Sequence, residues 1–286
     1  MSSAPPDPGS MYEALARFQW LRRRWSRARS GTGLEMRKRL LPTSTPGVGP
    51  ADGAEGLDRW LHSLLGGRRV SRVLDVGCGF GISAQRWAAA TGGEAVGITP
   101  SAFQVTKAAA EAASRGLGDR VRFVRQDAAA PLPGRFDVVL AIESLGHVND
   151  LGAVLRNVHG ALWPGGVLLW VEDLLVQPAD GDVDVAELAR RWSSPPLRDV
   201  ATARRELAAA GFEPVREIDL TPQVPFASTP GAPARAARLS RWRKVPLSPL
   251  RGMIDAFLGG LALERLYARG VACYRVWMSE RPSETA

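Results

Sequence analysis

Three short stretches hold residue types that could do chemistry together. "VLDVGCGFG" (73–81) ends an apolar run near Asp75 and then alternates Gly77, Gly79 and Gly81 around Cys78. "ESLGHV" (143–148) puts Glu143 and His147 in one short turn, and "VED" (171–173) sets Glu172 beside Asp173. Glycines without a Cβ permit unusual dihedrals and let the backbone approach a ligand closely, and a helix that follows them presents unpaired N–H groups. The Asp75 carboxylate can accept hydrogen bonds from such a turn and complement a ligand ammonium. A dinucleotide loop requires G-x-G-x-x-G, but here the third glycine comes one position early and Ile82 stands where that pattern needs Gly. A cation suits this turn better than a pyrophosphate. His147, one of three histidines, is a candidate general base, and Glu143, Glu172 and Asp173 are candidates to accept a proton or stabilise a developing cation.

The elements that must position these residues alternate. Apolar runs at 72–76, 94–98, 121–124, 136–142 and 166–171 have strand length, and helix-like stretches run from Ile82 to Ala90, Ala102 to Ser114 and Leu151 to Leu162. Ser101 is placed to cap its helix, "RGLGD" (115–119) to end it, and "WPGG" (163–166) to turn into the fifth strand. Alternation of this kind predicts right-handed crossovers and a doubly wound α/β core with a parallel sheet. The pattern then changes to a helical "VAELARRW", a second helix stopped at Gly211, a sixth strand through Leu220, a Pro-rich basic connection (222–250), an apolar helix (Met253 to Leu266) and a last strand, "VACYRVWMSE". That divides the chain into an N-terminal basic helical arm or lid (1–56), a ligand-binding core (57–176), and a cap with the strands that complete the sheet (177–286).

Composition narrows the class. With 286 residues and 45% hydrophobic content, the chain can bury a substantial core. No apolar run reaches the roughly 18 to 20 residues of a membrane span, and "MSSAPPDPGS" has no apolar core behind a positive start, so the expectation is a cytoplasmic protein. Cys78 and Cys273 alone form neither a disulfide framework nor a metal cluster, and no metal is expected. The formal charge of +8 is uneven. Nine bases, Arg17 and Lys38 among them, face three acids in the first fifty residues, and six more fall between Arg235 and Arg251 with no acid. Such flanks could meet RNA, a phosphate or diphosphate tail, or a membrane surface. Met11, Leu15, Phe18, Leu21 and Trp25 recur at helical spacing and suit an amphipathic lid or an interfacial helix with peripheral membrane contact. Trp192, Phe226, Trp242 and Phe257 make the cap apolar enough for a lipophilic acceptor.

"VLDVGCGFG" resembles motif I of the class I S-adenosylmethionine-dependent methyltransferases. "VGITPSAFQ" (96–104) resembles the G-I-T-x-S-x-x-Q segment of their sterol, tocopherol, cyclopropane fatty acid and natural-product branch. The similarity continues through "QDAAAPLPGRFDVVLAIESLGHV" and "LWPGGVLLWVED", and more weakly to "ACYRVWMSERP". It implies a Rossmann-like, seven-stranded, mostly parallel sheet with an antiparallel last strand. It implies S-adenosylmethionine as cofactor, with Asp75, Gly77, Cys78 and Gly79 at its methionine part. Thr99, Pro100 and Gln104 would lie at the ribose, Asp127 and Ala128 at the adenine, and Ile142 and Glu143 where the methyl group points. Sugar O-methyltransferases that "ESLGHV" resembles carry two adjacent histidines, and Gly146 replaces the first.

The reading that follows is methyl transfer to an oxygen or carbon of a small lipophilic or natural-product acceptor. An RNA methyltransferase is the alternative that the basic flanks raise, although no RNA-binding module accompanies them. A non-catalytic S-adenosylmethionine-binding partner protein is the other.

Overall fold

The computed structural model describes residues 56–225 and 248–283, together with Glu13, Ala16, Arg17, Trp20, Lys38, residues 40–43, Gly49 and Pro50. Met11, Leu15, Phe18, Leu21, Trp25, Phe226, Trp242 and the basic residues from Arg235 to Lys244 lie outside the described residues.

The core is a seven-stranded sheet in the order β3-β2-β1-β4-β5-β7-β6. Its strands are β1 (Arg72–Val76), β2 (Glu94–Thr99), β3 (Val121–Arg125), β4 (Phe136–Ile142), β5 (Leu162–Leu175), β6 (Glu213–Asp219) and β7 (Ala272–Glu280). The first five run parallel, and β7 lies antiparallel between β5 and β6. Strands β1, β4 and β5 read as continuous apolar runs because helices cover both faces. One layer packs α1 (Leu57–Ser63), α2 (Ile82–Thr91), α3 (Ala102–Ser114), α5 (Val183–Trp192) and α7 (Ser248–Ala268) on Val73, Leu140, Leu169, Val171 and Tyr274. The other packs α4 (Leu151–Ala161) and α6 (Val200–Ala209) on Leu74, Val139, Trp170 and Trp277.

Local chemistry fixes the helix starts. Ser101 accepts from the Gln104 N–H at 3.1 Å, as its position in the sequence predicts, and Asp150 and Asp199 accept from Ala153 and Thr202 at 2.8 and 2.9 Å. Helix α7 is tied to α5 by ion pairs, Arg191 to Asp255 at 2.6 Å and Arg265 to Asp184 at 2.6 Å. No helix among the described residues is long and apolar enough to cross a membrane.

The fifth strand departs from expectation. "WPGG" does not precede it; the strand starts at Leu162, and the register jumps from Phe136↔Leu162 to Val138↔Val167 around a bulge with Gly165 at φ 77°. At the other end, pairing with β7 carries β5 to Leu175. Glu172 and Asp173 therefore lie inside the strand, opposite Arg275 and Tyr274, not beyond its end. Because side chains alternate along a strand, the two acids point to opposite faces.

Candidate functional site

The glycine loop joins β1 to α2 at the carboxyl edge of the parallel strands, where such sheets bind ligands. The Gly77 and Cys78 N–H groups donate to the Ile98 carbonyl at 2.9 and 3.0 Å, fixing the loop against the end of β2. Asp75 is buried, and its Oδ2 accepts from the Ala84 N–H at 3.2 Å, at the positive start of α2. Two glycines do different work. Gly77 (φ 72°) lies against the turn after β4, and a Cβ there would come within 2.4 Å of the Ser144 Cβ. Gly79 (φ 54°) would meet nothing within 4 Å, so open space stands over its Cα. Cys78 is buried, and that burial, with Asp75 nearby, holds its thiol well above the ordinary range.

Thr99 and Gln104 are buried, and the Thr99 hydroxyl donates to Gln104 Oε1 at 2.6 Å. Pro100 sits at the end of β2, where its carbonyl accepts from Arg125 at 3.1 Å. The arm reaches the same place: the Ser101 hydroxyl donates to Glu13, Trp20 packs edge-on against Phe103, and Lys107 lies 4.6 Å from the Trp20 ring centroid. Asp127 is exposed just past β3, and its Oδ1 accepts from Ala129 N–H at 2.9 Å. Ala128 packs partly buried against the core, and Asn157 of α4 holds this turn through the Ala129 carbonyl at 2.8 Å. Ile142 is buried at the end of β4.

Next to the loop, the acids separate into two settings. Glu172 faces the α4–α6 side and accepts from the Gly146 N–H at 2.8 Å. Burial, with Asp173 adding repulsion, raises its pKa to about 8. A Cβ at Gly146 would lie 3.1 Å from Glu172 Oε1, so this carboxyl fills the room that a larger residue at 146 would need. Asp173 faces the opposite side. It accepts from Lys38 Nζ at 3.0 Å and from the Tyr267 hydroxyl of α7.

Glu143 also faces that side. Its Oε1 accepts from the Tyr274 hydroxyl at 2.6 Å and from the Lys38 backbone N–H at 2.9 Å. Its φ of 51° is rare for a residue with a side chain, and such strain persists where the surroundings over-determine it. Burial raises the Glu143 pKa, while Lys38 and the Tyr274 hydrogen bond pull it back. Lys38 itself lies 5.4 and 5.3 Å from the Tyr267 and Tyr274 ring centroids. Burial works against its charge, but Asp173, Glu143 and Glu172 together hold its pKa above the ordinary value.

His147 occupies a 3-10 turn (Leu145–His147). Its ring lies 6.0 Å from that of Trp192, and burial lowers its pKa to about 4 despite Asp173. It is therefore neutral near pH 7. Phe257, expected in the cap, is 43% exposed on α7.

The structure brings Glu143, His147, Asp173 and Trp192 to one side of the mouth and turns Glu172 to the other. Lys38, Tyr267 and Tyr274 are the residues that sequence reasoning missed. Each carries a signal only in retrospect: the three tyrosines of the chain include two at this one spot, one of them directly opposite Asp173 across β5 and β7.

Residues 74–168 match the family described as a methyltransferase domain. The chain is 37% identical over 166 residues to the 27-O-demethylrifamycin SV methyltransferase of Amycolatopsis mediterranei, covering 56% of this chain and 61% of that protein. It is 34% identical over 127 residues to the sterol 24-C-methyltransferase ERG6B of Gibberella zeae, covering 44% of this chain and 33% of that one. The matches thus span from a third to about three-fifths of these curated relatives. In fold, the [4+2]-cyclase SpnF superposes with a TM-score of 0.70 at 23% identity, over 99% of both chains. Residues 74–168, which hold the glycine loop and the turn bearing Glu143 and His147, are therefore similar to a methyltransferase domain.

Proposed function

We propose that the protein transfers a methyl group from S-adenosylmethionine to an oxygen or carbon of a small, lipophilic natural-product acceptor, and that it does so in the cytoplasm. The observation that carries this reading is the contact between Gly77 and Ser144, which sets the glycine loop directly against the turn that bears Glu143 and His147. The loop fits the cofactor: space is open above Gly79, Asp75 is buried at the end of the strand before it, and the Ser144 hydroxyl is buried beside Gly77 with no hydrogen-bond partner among the described residues. Asp75, Gly77, Cys78 and Gly79 would hold the methionine part, Thr99, Pro100 and Gln104 the ribose, and Asp127 and Ala128 the adenine, with Ile142 beside the methyl group. When bound, the cofactor supplies an electrophilic methyl on a sulfonium.

The chain's own task is placement and proton handling, and good placement alone contributes roughly 7 to 11 kcal/mol. Glu143 is the base we assign. Among the described residues its Oε1 is engaged by Tyr274 and Lys38, and Oε2 is the oxygen we assign to an acceptor hydroxyl. His147, neutral and tilted toward the Trp192 ring 6.0 Å away, is the second candidate. Glu172 supports the turn through Gly146. The acceptors in the relatives' names, a rifamycin and a sterol, favour a small molecule over RNA.

The test has two steps. Calorimetry with S-adenosylhomocysteine should give binding to the wild type and none to Asp75→Ala. Methyl-labelled S-adenosylmethionine, incubated with a host extract split into lipid, polar small-molecule and RNA fractions, should then label one small-molecule fraction. Absence of cofactor binding, or label confined to RNA, would overturn the reading.

A further inference from the structure

We propose that Lys38 is a positioning residue for Glu143: delivered from outside the α/β core, it closes a chain of contacts, Tyr274–Glu143–Lys38–Asp173–Tyr267, that favours the charged form of the Glu143 carboxylate and aims it. The geometry requires both ends of Lys38. Its backbone N–H donates to Glu143 Oε1 at 2.9 Å, and its ammonium donates to Asp173 Oδ2 at 3.0 Å. The lysine thus bridges the residue just past β4 and Asp173 within β5, and fixes the spacing of the two acids. Tyr274 of β7 and Tyr267 of α7 complete the walls, each donating to one of the two carboxylates and each turning a ring face toward the ammonium.

Charge decides why a lysine stands there. Asp173 on β5 and the Tyr274 hydroxyl act on Glu143 directly, Glu172 on the far face of β5 and Tyr267 feel its charge, and Glu264 of α7 feels Lys38. Among the described residues, Lys38 is the cation that acts on Glu143. Without it, burial and Asp173 act on Glu143 with less opposition and favour the protonated carboxyl, which cannot accept a proton from an acceptor. Lys38 is held by its neighbours as well: the segment continues to Leu41, whose N–H donates to the Gln223 carbonyl at 2.6 Å. Lys38 supplies the counter-charge on which the base depends. This inference rests on the assignment of Glu143 as the base.

The experiment follows the carboxyl carbons of selectively labelled glutamate by NMR as pH is varied, with Glu143 identified by its loss in Glu143→Gln. In Lys38→Met the Glu143 midpoint should move up by about one to three pH units, the usual effect of a close opposite charge. Lys38→Arg should recover most of that movement. A purely structural lysine would lower thermal stability and leave the midpoint where it was, and that result overturns the proposal. If Lys38→Met does not fold, Lys38→Gln keeps a polar donor without the charge and must show the same upward movement. No acceptor is needed for this readout, so it stands apart from the methyl-transfer assay. Loss of cofactor binding in the wild type would sink the proposed function, whereas an unmoved midpoint would sink only the role of Lys38.

Discussion

Replacing Gly79 and Gly77 in turn by alanine separates the demands of a ligand from those of the fold. Both residues have positive φ, 54° and 72°, and an ordinary side chain in that left-handed region costs about 1–2 kcal/mol. At Gly79 the added methyl meets nothing within 4 Å, so the backbone cost is the whole cost. At Gly77 it would come within 2.4 Å of Ser144 Cβ, and such overpacking adds about 1–3 kcal/mol. Urea denaturation without cofactor should therefore show Gly77→Ala losing roughly 2–5 kcal/mol against about 1–2 for Gly79→Ala. Binding reverses the ranking of interest. The Gly79 methyl enters the open space in which we propose the cofactor lies, and a misfit of about 1–3 kcal/mol there weakens affinity about 5- to 150-fold. Calorimetry with S-adenosylhomocysteine on folded Gly79→Ala reads this directly. Wild-type affinity in that variant would refute the placement of the cofactor over the loop, and an equal loss of stability in both variants would refute the packing argument.

Two further predictions concern pH. Glu172 is held neutral in the fold to about pH 8 while the unfolded chain ionises near its ordinary value, so the unfolded state binds fewer protons between those limits and stability falls as pH rises. Chemical denaturation from pH 5 to 8 should show a decline of up to about 1.4 kcal/mol per pH unit from this group, absent in Glu172→Gln; a parallel decline in the variant would contradict the burial of the acid. His147 acts in the opposite sense. Its pKa is lowered to about 4, so the unfolded chain takes up a proton that the fold refuses, and stability is lost as pH falls from about 6.5 to 4. His147→Asn should flatten that acid limb, measured by thermal melting across the window, while cofactor binding stays as in the wild type.

Local features were legible in the sequence and nonlocal ones were not. β1 and β4 end where their apolar runs end, and the Ser101 cap and the glycine loop are contained within a few residues, so spacing alone reveals them. The fifth strand was misjudged because its far end is set by β7, a partner almost a hundred residues away, and nothing in "VED" announces that pairing. For the same reason Glu172 and Asp173 read as equivalents until strand alternation divides them. Lys38 was counted only as one base among nine in the arm. Its role comes from a contact with Asp173 that no short-range pattern encodes.

The insertion of β7 between β5 and β6 also has a bearing on how the chain comes to be folded. While a ribosome is still making residues 176–270, β5 has β4 on one side and nothing on the other, and its apolar stretch from Val167 to Val171 is an open edge of the kind that recruits stray strands. The helices α5, α6 and α7 and strand β6 must all emerge before the strand that closes this edge. The nascent protein therefore passes through a long interval of aggregation risk, and substitutions that slow the arrival or weaken the pairing of β7 should reduce soluble yield far more than they reduce the stability of the finished molecule.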